Sequence, residues 1–374
     1  SRNQKKKIDN VILEASSHGL KQHRLDGLEF TNGIFTNLSH DHLDYHKNFK
    51  DYLKSKLYLF EKLLKKNSNI ITDLEITEYK AIKKIALKRK LKVHTISNKK
   101  GSINIISHKY SQGKQIVEIE YKNKIYKFQT SLIGKIQIKN ILMAILVAKN
   151  SGLSFKQIIK VVGKIKPVSG RLEKIGKIKN NSLVILDYAH TPEALKICLE
   201  NLKKQFRDKK ISIVFGCGGD RDQSKRQIMG KVVNSICDRI YLTDDNPRSE
   251  NPKNIRSEIK KKINKLKMLE LPDRAKAIKK AVLDLKVGDI LIVAGKGHEN
   301  NQDYGKYKRV FSDKNEILKN IKIKNKDLSK DIKINILKEI GYLNNFSSKI
   351  KINKASINSK EIKKNDIFFA IKGK

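Results

Sequence analysis

His40, Asp41, His42, Asp44 and His46 crowd into a single heptapeptide. Carboxylates and imidazoles at that density suit a divalent cation. The same composition suits a hydrogen-bonded turn or a helix cap, and spacing alone leaves both readings open. The segment that follows places Lys56 inside an apolar stripe of Phe49, Tyr52, Leu53, Leu57, Phe60, Leu63 and Leu64 at i, i+3, i+4 spacing. A lysine on an inward face loses solvation, which favours its neutral form. A neutral amine adds to carbon dioxide to give a carbamate, an anion able to ligate a metal. A lysine at the edge of such a stripe can equally bury its stem and keep its head in water.

Four more chemistry-bearing stretches each follow an apolar run. Asp187-Tyr188-Ala189-His190-Thr191-Pro192-Glu193 ends in a helix start, with Thr191 able to cap, Pro192 suited to the first position and Glu193 to the positive end. Asp187 and His190 are then left at the strand end, free for a nucleotide. Gly216-Cys217-Gly218-Gly219-Asp220-Arg221-Asp222 lets backbone N–H groups approach an anion, but it lacks dinucleotide-fingerprint spacing. Asp244-Asp245-Asn246-Pro247-Arg248 reads as a turn with a guanidinium that can fork onto a carboxylate. Ala294-Gly295-Lys296-Gly297-His298-Glu299 is the fourth.

These stretches need elements to hold them. Strands are expected at 183–187, 211–215, 239–243 and 289–293, with helical patterns between, an alternation that gives a mostly parallel sheet. Ligands bind beyond the carboxyl ends of such strands, so the four loops would gather on one edge. Upstream, 8–14 reads as a strand ending at Glu14. Short strands are expected at 33–38, 69–72, 92–96, 103–107 and 115–128, and helices at 48–66, 77–90, 138–149 and 154–164. Pro167 to Gly170 is the candidate linker. The expected organisation is therefore α/β: one domain over 1–166, a Rossmann-like parallel-sheet domain over 167–321, a Lys-, Asp- and Asn-rich connector over 322–331, and a further segment over 332–374.

Composition narrows the function classes. The 374 residues carry 82 Lys and Arg against 38 Asp and Glu, a net charge of +44. The excess is mostly lysine, spread along the chain in company with isoleucine and asparagine. With aromatics at 6% and no Trp, stacking platforms for bases are not evident, so a nucleic-acid partner is not expected. The longest apolar run, Ile141 to Ala148, is far short of the roughly 18 residues of a membrane span, and residues 1–7 do not open a signal peptide. Cys198, Cys217 and Cys237 form no metal spacing and read as free thiols of a cytoplasmic protein. Ser1 is not an initiator Met, and a piece of a longer chain is expected.

Residues 11–60 contain E-x-S-S-H-G-L-x-Q-x-R, then T-N-L-x-x-D-H-L-D-Y-H, then Y-x-x-x-K. This ordered set resembles the central domain of the Mur ligases, in particular the members that attach the third residue of the peptidoglycan peptide. D-Y-A-H-T-P, G-C-G-G-D-R-D, D-N-P-R and G-K-G-H-E resemble their C-terminal domain, and the likeness covers roughly 8–318. It implies an ATP-dependent peptide-forming ligase that adds meso-diaminopimelate to UDP-N-acetylmuramoyl-L-alanyl-D-glutamate through an acyl phosphate. Carried over, Glu14, His42 and a carbamylated Lys56 would be catalytic and hold Mg2+. Ser16, Gln22 and Arg24 would contact the UDP-N-acetylmuramoyl dipeptide, and Arg171, Asp187 and His190 would bind ATP. Arg221, Asn246, Arg248, Gly295 and Glu299 would bind diaminopimelate, with Arg248 on the distal carboxylate that lysine lacks.

The phosphate loop G-x-x-x-x-G-K-[ST] is absent from the 374 residues, so this stretch alone is expected to be inactive or nearly so. Residues 355–373 resemble the opening of another Mur ligase, with Asn358 and Lys360 in place of Asp and Arg. That likeness implies a fusion with the D-alanyl-D-alanine-adding enzyme. The competing readings are a lysine-adding ligase, a folylpolyglutamate synthetase-like ligase and a basic nucleic-acid-binding protein.

Overall fold

A computed structural model describes residues 10–39 and 45–339, together with Ala355–Ser356 and Ile367–Phe368. The N-terminal half runs α1 (Ser17–Lys21), β1 (Phe30–Phe35), α2 (Phe49–Tyr58), β2 (Leu64–Asp73), α3 (Tyr79–Arg89), β3 (Lys92–Ser97), β4 (Ile103–Ser111), β5 (Lys114–Tyr121), β6 (Lys124–Thr130), α4 (Lys135–Asn150) and α5 (Phe155–Val162). A wider π turn, Leu59–Leu63, carries α2 straight into β2. The six strands form one sheet in sequence order, parallel from β1 to β4 and antiparallel from β4 to β6. The expected strand over 115–128 is thus a hairpin. Lys122 and Asn123 both take positive φ, 50° and 59°, the pairing that a tight primed turn requires. Ile138, Leu142, Ile145 and Leu146 of α4 pack on Ile96, Ile103, Val117 and Ile119 of the sheet.

The second half runs β7 (Glu173–Lys174), β8 (Leu183–Asp187), α6 (Pro192–Gln205), β9 (Ile211–Phe215), α7 (Lys225–Ile236), β10 (Arg239–Leu242), α8 (Pro252–Lys260), β11 (Met268–Glu270), α9 (Arg274–Asp284), β12 (Ile290–Ala294), β13 (Asn301–Asp303), β14 (Lys308–Val310) and α10 (Asp313–Glu339). Its sheet order is β11-β10-β9-β12-β8-β7, parallel except for β7. The unbroken apolar strands are those of a sheet covered on both faces. Ile185, Ile213 and Ile292 face one core, shared with Leu195, Leu199 and Met229 of α6 and α7. Their neighbours Leu186, Val214 and Val293 face the other, shared with Ile278, Val282 and Ile317 of α9 and α10. The carboxyl ends of β8, β9, β10 and β12 therefore lie along one edge, as expected.

Two expectations need correction. Residues 10–16 form no strand, and Val11, Ile12 and Leu13 are 76, 96 and 47% exposed. A strand exists only when neighbours satisfy its N–H and C=O groups, and an apolar run does not supply them. The connector over 322–331 is instead part of α10, because Ile317, Ile321 and Leu328 continue one apolar stripe against α9 and the sheet. The tail beyond Glu339 lies outside the described residues apart from a short parallel pair, Ala355–Ser356 (β15) with Ile367–Phe368 (β16).

Candidate active site at the strand ends

The loop after β8 is built around a buried carboxylate. Asp187 Oδ2 accepts from the Leu172 N–H at 2.7 Å and Oδ1 from the Ala189 N–H at 2.8 Å. Burial raises its pKa, against the pull of these two bonds and of Arg171. Each oxygen accepts one backbone N–H, which ties Leu172 to the strand end and leaves each able to accept a further donor. The groups facing outward are others. The Arg171 guanidinium lies 4.5 Å over the Tyr188 ring. His298 stacks near Tyr188 with centroids 5.7 Å apart, and His190 meets its edge at 4.7 Å. His190 Nδ1 is 2.8 Å from the Tyr188 carbonyl, so Nδ1 carries a proton. Thr191 caps α6 by accepting from the Ala194 N–H, with Pro192 next, as expected.

The loops after β9 and β10 are locked together. The Gly219 N–H donates to the Asn246 carbonyl at 2.9 Å, and any Cβ at Gly219 would run into the Pro247 carbonyl. The Asp220 carboxylate accepts from the Ser249 hydroxyl and N–H, which hold its pKa below the usual range. Arg226, 1% exposed, forks onto Glu250 at 2.7 and 2.8 Å and reaches Glu258 at 3.0 Å. Arg248 has φ of 52°, a conformation that costs a non-glycine residue about 1 kcal/mol. Its Nη1 donates to the Gly219 carbonyl at 2.6 Å. The Nε–Nη2 edge, the one that forks onto carboxylates, is not used by that bond. Arg221 is exposed.

The loop after β12 closes the arrangement. Gly295 has φ of 111°, and a Cβ there would lie 2.5 Å from Asp245 Oδ2, so only glycine fits. Asn246 Nδ2 donates to Glu299 Oε2 at 2.9 Å. The Lys296 ammonium donates to Asn246 Oδ1 and to Glu299 Oε2, both at 2.8 Å. Beneath them Arg274, fully buried, forks onto Asp313 with two bonds of 2.7 Å and donates to the Ala294 carbonyl at 2.9 Å. Sequence reasoning missed Lys296 and Arg274. A lysine between two glycines reads as solvated, and nothing local marks Arg274 as buried.

The middle-domain residues are arranged differently. Ser16 caps α1 through a 3.1 Å bond from the Gly19 N–H. Gln22 Nε2 donates to the Tyr45 hydroxyl at 2.9 Å. Glu14 and Arg24 are exposed. Lys56 is half-buried, donates to the Asn37 carbonyl at 2.8 Å, and lies 5.2 and 5.5 Å from the Tyr52 and Phe35 rings. His42 lies outside the described residues. Among the described residues no group of three or more His, Cys, Asp or Glu side chains could hold a metal. The expected Mg2+ set includes His42 and a carbamate on Lys56, neither of which is among the described groups. ATP is different, since the Arg171 cation and the Tyr188, His190 and His298 rings fit an anionic, aromatic ligand.

Residues 1–148 match the Mur ligase middle domain and residues 170–297 the Mur ligase glutamate ligase domain. The chain belongs to the Mur ligase family. A Rickettsia montanensis protein named UDP-N-acetylmuramoyl-L-alanyl-D-glutamate--2,6-diaminopimelate ligase is 41% identical over 317 residues, covering 84% of this chain and 65% of the relative. A solved structure of a ligase with that name is 32% identical with a TM-score of 0.57, over 83% of this chain and 63% of its own. A MurF ligase from Thermotoga maritima, solved with ADP, shares the fold at a TM-score of 0.61 and 18% identity, over 82% and 64% of the two chains. The chain thus spans about two thirds of the length of such relatives. No helix among the described residues is long and apolar enough to cross a membrane.

Proposed function

We propose that the protein carrying this chain is an ATP-dependent ligase that joins meso-diaminopimelate to UDP-N-acetylmuramoyl-L-alanyl-D-glutamate in peptidoglycan precursor synthesis. The observation that carries the reading is the meeting of Arg248, Asn246 and Glu299 at two strand ends, those of β10 and β12. A guanidinium edge and a carboxylate held on one scaffold suit an amino acid that presents both a carboxylate and an ammonium. The Arg248 Nε–Nη2 edge takes the distal carboxylate, and Glu299 takes the ammonium beside Gly295. Arg221 guides the anionic end inward. ATP, held by Arg171, His190 and the Tyr188 ring, supplies the phosphoryl group that turns a carboxylate oxygen into a leaving group. The amine of diaminopimelate then attacks the acyl phosphate. Glu14, His42, a carbamylated Lys56 and Mg2+ are the proposed partners of that step, with Ser16, Gln22 and Arg24 on the nucleotide-sugar substrate. Support for this second group is the motif likeness alone.

Calorimetric titration of the chain with meso-diaminopimelate and with L-lysine tests the amino-acid reading. Meso-diaminopimelate should bind at least tenfold tighter, and Arg248→Ala should abolish the preference by removing a charge-assisted fork of about 1.5–3 kcal/mol. Equal affinity for both amino acids in the unaltered chain would favour the lysine-adding reading. A cytoplasmic setting is part of the proposal, supported by three free, buried cysteines. A fused second ligase is also part of it, supported by the motif likeness of residues 355–373. A longer reading frame without a phosphate loop beyond residue 374 would refute the fusion.

A further inference from the structure

Lys296, in the loop after β12, reaches across to the loop after β10 at the proposed diaminopimelate site. It is fully buried, and a lysine is almost never so without partners. Its ammonium lies 2.8 Å from Asn246 Oδ1 and 2.8 Å from Glu299 Oε2. Asn246 Oδ1 also accepts from the Asp303 N–H at 3.0 Å, and the Arg248 N–H in turn donates to the Asp303 carbonyl at 3.0 Å. One ammonium therefore connects, through Asn246 and the first strand of the β13–β14 hairpin, to the backbone that carries Arg248.

Two consequences follow from the donor and acceptor chemistry. An ammonium only donates, so it fixes which end of the Asn246 amide faces it. Oδ1 must point to Lys296 and Asp303, and Nδ2 must point to Glu299. Both donors, Lys296 and Asn246, then converge on the same Glu299 oxygen, Oε2. That leaves Oε1 as the oxygen of Glu299 able to accept an ammonium from outside. Without the lysine, Oδ1 would keep only the Asp303 N–H and Glu299 Oε2 only the Asn246 amide, so both side chains would be held less firmly in the same orientation.

We infer that Lys296 is a positioning residue for amino-acid selection: it sets the Asn246 amide and commits one oxygen of Glu299, so that the other meets the ammonium of a diamino acid while Arg248 is held at the carboxylate end. This rests on the diaminopimelate reading for its ligand, but its structural half stands by itself. Lys296 touches no substrate atom in this scheme. It acts through Glu299 and Asn246.

The test uses the full chain and the variants Lys296→Met, Glu299→Gln and the double variant. Lys296→Met keeps the stem length and removes the charge. Without ligand, amide exchange at Asp303 should quicken at least tenfold in Lys296→Met, while exchange at Val293 in β12 stays the same. Meso-diaminopimelate affinity should fall at least tenfold in Lys296→Met, yet the same substitution made in Glu299→Gln should cost at least threefold less, because the part carried by Glu299 is already gone. A lysine that merely supports the fold would weaken binding by the same factor in both backgrounds, and that result overturns the inference. Unchanged exchange at Asp303 in a folded Lys296→Met also overturns it. Should Lys296→Met fail to fold, Lys296→Gln, which keeps a neutral N–H donor, carries the same pair of measurements. An unaltered chain that ignores meso-diaminopimelate while Asp303 still responds to the substitution would refute the substrate and leave the positioning role standing.

Discussion

Lys56 and Lys296 sit in the two halves of the proposed ligase, and the contrast between them separates two kinds of site. Lys56 is half-buried, with a backbone carbonyl for an acceptor and two aromatic rings for walls. Lys296 is wholly buried between two side chains from different loops. The C-terminal site is formed by the carboxyl ends of adjacent strands in one sheet, so pairing the strands brings its residues together. The middle-domain residues depend on a short helix, on α2 and on the segment 10–16, which makes no ladder. The difference teaches that a motif on a sheet edge is positioned by the sheet, whereas a motif on short elements needs every neighbour present.

The sharpest way to break this comparison is to remove the pillar under the C-terminal site. Arg274→Met leaves Asp313 buried without its partner, and stability to chemical denaturation should drop by about 3–5 kcal/mol. Replacing both residues with Met and Leu should recover most of that loss. If Arg274→Met unfolds at the same denaturant concentration as the unaltered chain, the network is not what holds the loops.

Asp187→Asn should come next, at about 1–3 kcal/mol, because an amide can accept only one of the two backbone N–H bonds. Its pH dependence sharpens the point. Burial holds the Asp187 carboxyl above its usual value of 3.8. Between that value and the raised one the folded chain binds more proton than the unfolded chain. Stability from this group is therefore present in full below pH 3.8 and is lost as pH rises through the window. Denaturation midpoints measured across pH should show that falling slope, and Asp187→Asn should flatten it.

Lys56→Met should have the smallest effect, about 1 kcal/mol or less, since its ammonium is only half-buried. A loss as large as that of Arg274→Met would erase the distinction between the two sites.

Much of this was legible in the residues. The runs 183–187, 211–215 and 289–293 read as buried parallel strands because apolar side chains fill both faces, and Thr191-Pro192 reads as a helix start from local chemistry. Asn246 and Arg248 follow the strand expected at 239–243, and Gly295 and Glu299 the one at 289–293, so the parallel sheet brings them to one edge. The connector over 322–331 was misread because lysine and asparagine outnumber the three apolar residues that keep α10 on the core. The strand over 8–14 was misread because its apolar run states what can be buried and not what is there to bury it.

Periodicity, capping and turn chemistry act over a few residues, so the chain itself determined the strands, most helices and the edge on which the loops collect. Folding in three dimensions decided the rest. The bond from Lys296 to Asn246 joins residues 50 apart in sequence, and that from Arg274 to Asp313 joins residues 39 apart. Whether a charged side chain is solvated or becomes the centre of a site depends on which distant acceptors the packed sheet brings within 3 Å, a matter on which local spacing is silent.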